Sequence, residues 1–170
     1  VVWLARRGHS SLLVSDYIIN KHGCQFTPYQ LIKLVFISHG RTLAALNRPL
    51  IRDRIETWKY GPVIPVLYHE LKVWEGECVH ALHYCNTVPG KNKTTDSERT
   101  AFFESVLPAD ERAVIDGVVE EYGKWTFSNL RRLCHEPGSP WDRCYDGEHG
   151  TEIPDHVIQN YYNNEMIPPS

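Results

Sequence analysis

Four thiol and imidazole side chains stand close together as Cys78-x-His80-x-x-His83-x-Cys85, and two thiolates with two imidazoles are a complete ligand set for structural zinc. The spacing works against that use. On a continuous strand Cys78 and His80 share one face, while His83 and Cys85 point to the other. Convergence would need a tight turn between them, and Ala81-Leu82 is poor turn sequence. The favoured reading is a half-buried strand with small thiols inside and imidazoles at its rim. No metal is expected; were one bound, these four residues would be its ligands. A second set, Cys134-His135 with Cys144 and His149, has the residue types of a nucleophile and its base. Neighbours on a helix point about 100° apart, so Cys134 and His135 do not form a natural pair. His135 is expected instead to cap or hydrogen-bond a helix C-terminus, where a cationic imidazole is favoured. The carboxylate pairs Asp110-Glu111 and Glu120-Glu121 are expected to be solvated, the first at a helix start where negative charge is favourable. There is no P-loop, G-x-G-x-x-G, G-x-S-x-G or H-E-x-x-H. No catalytic or cofactor-binding residue is therefore assigned, and no enzymatic activity is expected. The enzymatic alternative is a small metal-dependent hydrolase using the His and Cys residues.

Trp58-Lys59-Tyr60-Gly61-Pro62-Val63 differs in kind, because it sets two large amphipathic aromatics beside a rigid Gly-Pro turn. Its first expected role is structural, with Trp58 and Tyr60 fastening a β element to helices. Its second is binding, since Trp and Tyr dominate interaction hot spots. The basic pairs Arg6-Arg7 and Arg131-Arg132 lack aromatic stacking spacing and suit surface or partner contacts better than a grip on nucleic acid.

The elements that must position these groups are mainly helical. A first helix opens at Ser10 or Ser11 and closes at Gly23. Thr27-Pro28 starts a second, with Thr as cap and Pro at the first helical position, running to about Leu46. It is apolar on nearly every side, which marks a central helix covered by others. Residues 54–59 alternate as a short strand, with Ile55 and Thr57 set against Glu56 and Trp58. Pro65 begins a third helix through Leu67, Leu71 and Trp74, closed by Gly76. Residues 78–85 form a second strand candidate, paired with the first, and 86–98 a polar surface loop. Helices follow over 97–107 and 108–122, the latter with Val114, Ile115, Val118, Val119 and Tyr122 on one stripe. Another runs from Thr126 or Ser128 to His135. The stretch 136–141 breaks the chain, 142–152 is polar and turn-rich, and a last short helix starts at Ile153-Pro154-Asp155. Residues 163–170 are an expected mobile tail. The sum is a mainly α fold, a helical domain with a small antiparallel β element.

At 170 residues the chain is expected to be one domain, large enough to fold without disulfide or metal. Hydrophobic residues make up 42% and charged residues 23%, which excludes a disordered chain. A formal net charge of −3 argues against a broad basic surface for nucleic acid or anionic lipid. Five cysteines, an odd number, favour free thiols in a reducing compartment. The N-terminal apolar run is too short for a signal peptide, and the stretch 31–37, interrupted by Lys33, is far below the roughly 20 residues that span a bilayer. A cytoplasmic location without membrane contact is expected.

The stretch Leu31-Ile-Lys-Leu-Val-Phe36, then Arg48-Pro-Leu50, Ile55-Glu-Thr-Trp-Lys-Tyr-Gly-Pro-Val63 and Tyr68, resembles the Panacea domain. Leu130 to His135, Ser139-Pro-Trp141, and Ile153-Pro-Asp155 with Ile158 and Tyr161 fit in the same order, so the resemblance covers about residues 14–162. Gly61, Pro62, His135, Ser139, Pro140 and Trp141 are its structural motif. Ser38-His39 stands where the family often has a small residue and Gln, and residues 75–99 depart from the pattern. The resemblance implies a binding module of the SocA-like antitoxins and prophage-associated proteins. Its partner would be a cognate toxin or, in the phage alternative, a host or defence protein. It also implies delivery to a ClpXP-type protease in the SocA type. The expected interaction residues are Trp58, Tyr60, His80, His83, Lys91 and Lys93, the divergent segment supplying an edge strand and charges that steer a partner.

Overall fold

The computed structural model describes residues 8–80 and 95–165. Helix α1, Ser11–His22, starts where the Ser10 side chain accepts from the Leu12 N–H and ends at Gly23, with φ at 90°. Helix α2, Pro28–Leu46, opens in a capping box: Thr27 accepts from the Gln30 N–H while the Gln30 side chain accepts from the Thr27 N–H. Every residue from 31 to 40 is buried, because α1 and four later helices pack around this one. Those include α3 (Pro65–Leu71, continued by a 3-10 turn over Lys72–Trp74), α5 (Ala109–Tyr122), α6 (Phe127–Cys134) and α8 (Asp155–Glu165). Helix α4, Asp96–Val106, packs on α1. A short α7, Pro140–Cys144, packs on α8. The class is the one expected, mainly helical with one small antiparallel sheet.

That sheet has the order β2-β1-β3, with β1 at Glu56–Trp58, β2 at Gly61–Val63 and β3 at Thr151–Glu152. Ile55 and Thr57 are buried and Glu56 and Trp58 half-buried, the expected alternation. Pro62 is tolerated because β2 is an edge strand. The expected pairing of β1 with residues 78–85 does not form. Both sides of β1 are already occupied, residues 78–80 are not in a strand, and Val79 donates its N–H to the Phe26 carbonyl instead. Residues 81–85 lie outside the described residues. Two starts also differ from expectation. The supposed loop already ends at Thr95, because Thr95 and Glu98 form a second capping box. The supposed break at 136–141 ends in a helix start, with Ser139 as cap and Pro140 first in α7.

His39, buried on α2, accepts from the Leu50 and Ile51 N–H groups at Nδ1 (3.2 and 3.3 Å) and donates from Nε2 to Asp155 (2.8 Å). It thereby ties the segment after α2 to the first turn of α8. One turn of the same helix explains Gly40. A Cβ there would lie 2.2 Å from two carbons of the Tyr162 ring, and Tyr162 is buried with its ring edge-on to Phe36. Gly40→Ala gains about 1 kcal/mol of helix propensity and meets an overpacking cost of about 1–3 kcal/mol. We expect a net loss of about 1 kcal/mol and a melting temperature lower by a few degrees. An unchanged melting temperature would show that α8 can move off α2 without cost.

Candidate functional site

The Trp58–Gly61 hairpin turn is where α2, the sheet, α6 and α7 meet. Lys33 of α2 is buried, and its Nζ donates to the Pro62 carbonyl at 2.7 Å. Burial lowers its pKa to about 8, with the nearby Cys134 thiol working weakly the other way. Gly61 has φ at 112°, and a Cβ on it would sit 2.7 Å from Lys33 Nζ and 3.1 Å from His135 Cε1. Glycine is thus demanded both by the backbone and by the close approach of two polar side chains. His135 is the C-cap residue of α6, and its Nδ1 donates to the Arg131 carbonyl at 2.7 Å. Its ring packs 4.0 Å from Trp141. Trp141 donates from Nε1 to the Trp58 carbonyl at 2.8 Å and stacks on Tyr145. Ser139 donates to the Cys134 carbonyl and accepts from the Asp142 N–H. Gly61, Pro62, His135, Ser139, Pro140 and Trp141 therefore form one continuous joint.

Beside this joint lies a cleft of about 330 Å³. Tyr29 and Phe127 form one wall, their rings 5.2 Å apart. Trp58 forms another, edge-on to Tyr68 at 5.0 Å and 4.5 Å from His149. Ile32, Lys33, Lys59, Tyr60 and Val63 complete the lining. Tyr60 is 54% exposed and has two cations close to its ring, Arg131 at 4.8 Å and Lys59 at 5.6 Å from the centroid. The Trp58 carbonyl holds Trp141, and its ring lines the cleft. His80 stands apart, in a depression with Asn20, Cys24 and Arg99. His83, Cys85, Lys91 and Lys93 lie outside the described residues. In the sequence Lys33 shows as an interruption of an apolar stretch and as one residue of the family-like stretch 31–36, neither of which gives it a role. Tyr29, Tyr68, Phe127 and His149 gave none, since their convergence is long-range.

The other chemical sets are not assembled as nucleophiles. Cys134 is buried, and burial pushes its thiol up to about 11, so it is not a thiolate at neutral pH. Burial raises the Cys144 thiol as well. The expected cation at His135 is corrected: burial outweighs the backbone of Arg131 and Lys59 and holds the imidazole below its ordinary pKa. Glu111, expected in solvent, is fully buried, receiving His9 Nε2 at 2.7 Å and Arg48 Nε at 3.1 Å. Partners from elsewhere in the chain make that burial affordable. Among the described residues no group of three or more His, Cys, Asp or Glu could hold a metal ion, and Cys24, Cys78, Cys134 and Cys144 are free thiols. No helix among them is long and apolar enough to cross a membrane.

The family profile described as "Antitoxin SocA-like, Panacea domain" matches residues 31–142, a narrower span than 14–162. Lys33, the hairpin, His135 and Ser139-Pro-Trp141 fall inside it. A protein named Antitoxin SocA, from Caulobacter vibrioides (strain NA1000 / CB15N), is 27% identical over 150 residues, covering 81% of this chain and 72% of the relative. No solved structure matches the chain.

Proposed function

The chain belongs to the Antitoxin SocA-like, Panacea domain family, and on that premise we propose that it is a non-catalytic binding module that neutralises a protein toxin by direct stoichiometric contact. The observation that carries this reading is the cleft. It places exposed Tyr29 and Tyr60 beside Trp58 and Phe127, around a hairpin that lies within the family span. Aromatic side chains of this kind, rigid and half-exposed around a concavity, have the composition of a binding hot spot. The divergent segment with His80, His83, Lys91 and Lys93 is a second contact region in the same proposal, and delivery of the bound toxin to a ClpXP-type protease its further step.

Co-expression of the full chain with a toxic reading frame adjacent to its gene tests this. The expected result is a one-to-one complex, with growth restored only when the chain is at least equimolar with the toxin. Restoration by far less than one molar equivalent would mean turnover and would overturn the binding mechanism. Equal restoration in a host without the protease would remove the delivery step and leave binding alone.

A further inference from the structure

We propose that the cleft takes a segment of the partner in which an aromatic side chain is flanked by carboxylates. This rests on reading the cleft as a partner-binding face. A concavity of about 330 Å³ walled by aromatic rings suits one large side chain better than a flat contact. Ring edges and faces from Trp58, Tyr68 and Phe127 offer an incoming aromatic both edge-to-face and offset-stacked partners.

The charges decide the flanks. Among the described residues the lining carries the cations Lys33 and Lys59 and no carboxylate. In the described structure the side chains of Arg41, Arg48, Arg54 and Arg112 are each engaged by a carboxylate. Lys59 and Arg131 have none among the described residues and lie instead against the Tyr60 ring. Glu56, beside Trp58, does not neutralise them, since it accepts from Trp58 Nε1 at 3.1 Å and from Arg54 at 2.8 Å. The whole chain is acidic, at −3, so this local cationic rim runs against its overall sign. Two cations stacked on one exposed ring are already oriented for an anion, which lowers the cost of pairing with it. A basic segment would be repelled from the same rim, and that repulsion supplies specificity.

The test is selection of random dodecapeptides, displayed on phage, against the full chain, followed by calorimetric titration of the selected peptides. The expected consensus is an aromatic residue with neighbouring Asp or Glu, and affinity that falls as salt is raised. The double variant Lys59→Gln with Arg131→Gln removes two exposed charges, so it should melt within a few degrees of the parent while weakening these peptides about tenfold or more. No enrichment, a basic consensus, a consensus without an aromatic, or equal affinity for the double variant would each overturn the proposal. The two readings fail separately. Peptide binding as expected with no toxin neutralised would sink the antitoxin reading and leave the cleft specificity standing. Neutralisation by a chain whose cleft binds no such peptide would do the reverse.

Discussion

Gly61→Ala is expected to cost about 2–6 kcal/mol of folding stability, the sum of backbone strain of about 1–3 kcal/mol and overpacking of about 1–3 kcal/mol. The strain arises because φ at 112° is a conformation that a side chain disfavours. The overpacking arises because the new methyl meets Lys33 Nζ and the His135 ring, and neither can retreat. Lys33 is held by the Pro62 carbonyl, and His135 is wedged between the Arg131 carbonyl and the Trp141 ring. Gly76→Ala is the internal comparison. Its φ of 124° is equally foreign to a side chain, but among the described residues no atom beyond its chain neighbours lies within 4 Å of its Cβ position. It should lose only the strain, about 1–3 kcal/mol. Thermal melting of the two variants side by side separates the contributions. If both fall equally, the packing of Lys33 and His135 is not what requires glycine in the hairpin.

Stability should rise as the solution is made alkaline from neutral to about pH 9. The sign follows from Lys33. Its folded pKa is about 8 against an ordinary 10.5, so between those values the unfolded chain holds a proton that the folded chain has lost. Stability increases with pH wherever the unfolded state binds more protons. The shift of 10.5 − 8 = 2.5 corresponds to about 3 kcal/mol over the full window, of which about 1 kcal/mol falls between pH 8 and 9. Cys134 acts oppositely. Its thiol is raised from 9.0 to about 11, so the folded chain holds the extra proton, and stability is lost as pH rises through that interval. The two nearly cancel above pH 9. Above pH 10 the raised tyrosines Tyr17, Tyr122, Tyr161 and Tyr162 add to the loss. Urea unfolding midpoints across this range measure the curve. Lys33→Met should abolish the rise and keep the fall. A rise that persists in that variant would assign it to another group.

Features whose causes lie within about four residues are legible in the chain's local chemistry. The starts of α1, α2 and α6 follow from Ser10, Thr27 and Thr126, each accepting a backbone N–H two or three positions on. The same rule, applied to Thr95 with Glu98 and to Ser139 with Pro140, would also have placed α4 and α7. The burial of α2 was legible because it is apolar all round, and the hairpin because Gly-Pro restricts its own dihedrals. The tertiary structure alone decided the rest. Residues 151–152 become a strand only because β1 presents a free edge to a segment with no periodicity of its own. Glu111 is buried only because His9 and Arg48 arrive from distant positions to hold its oxygens. The His135 imidazole is held below its ordinary pKa because Trp141 and the hairpin bury it. The cleft exists because rings from α2, α3, α6, the hairpin and the segment before β3 converge around Lys33. Local sequence carries dihedral preferences and capping bonds. Desolvation of a lysine, or shelter for a carboxylate, depends on which distant atoms replace water around it, and that is settled only when the chain closes on itself.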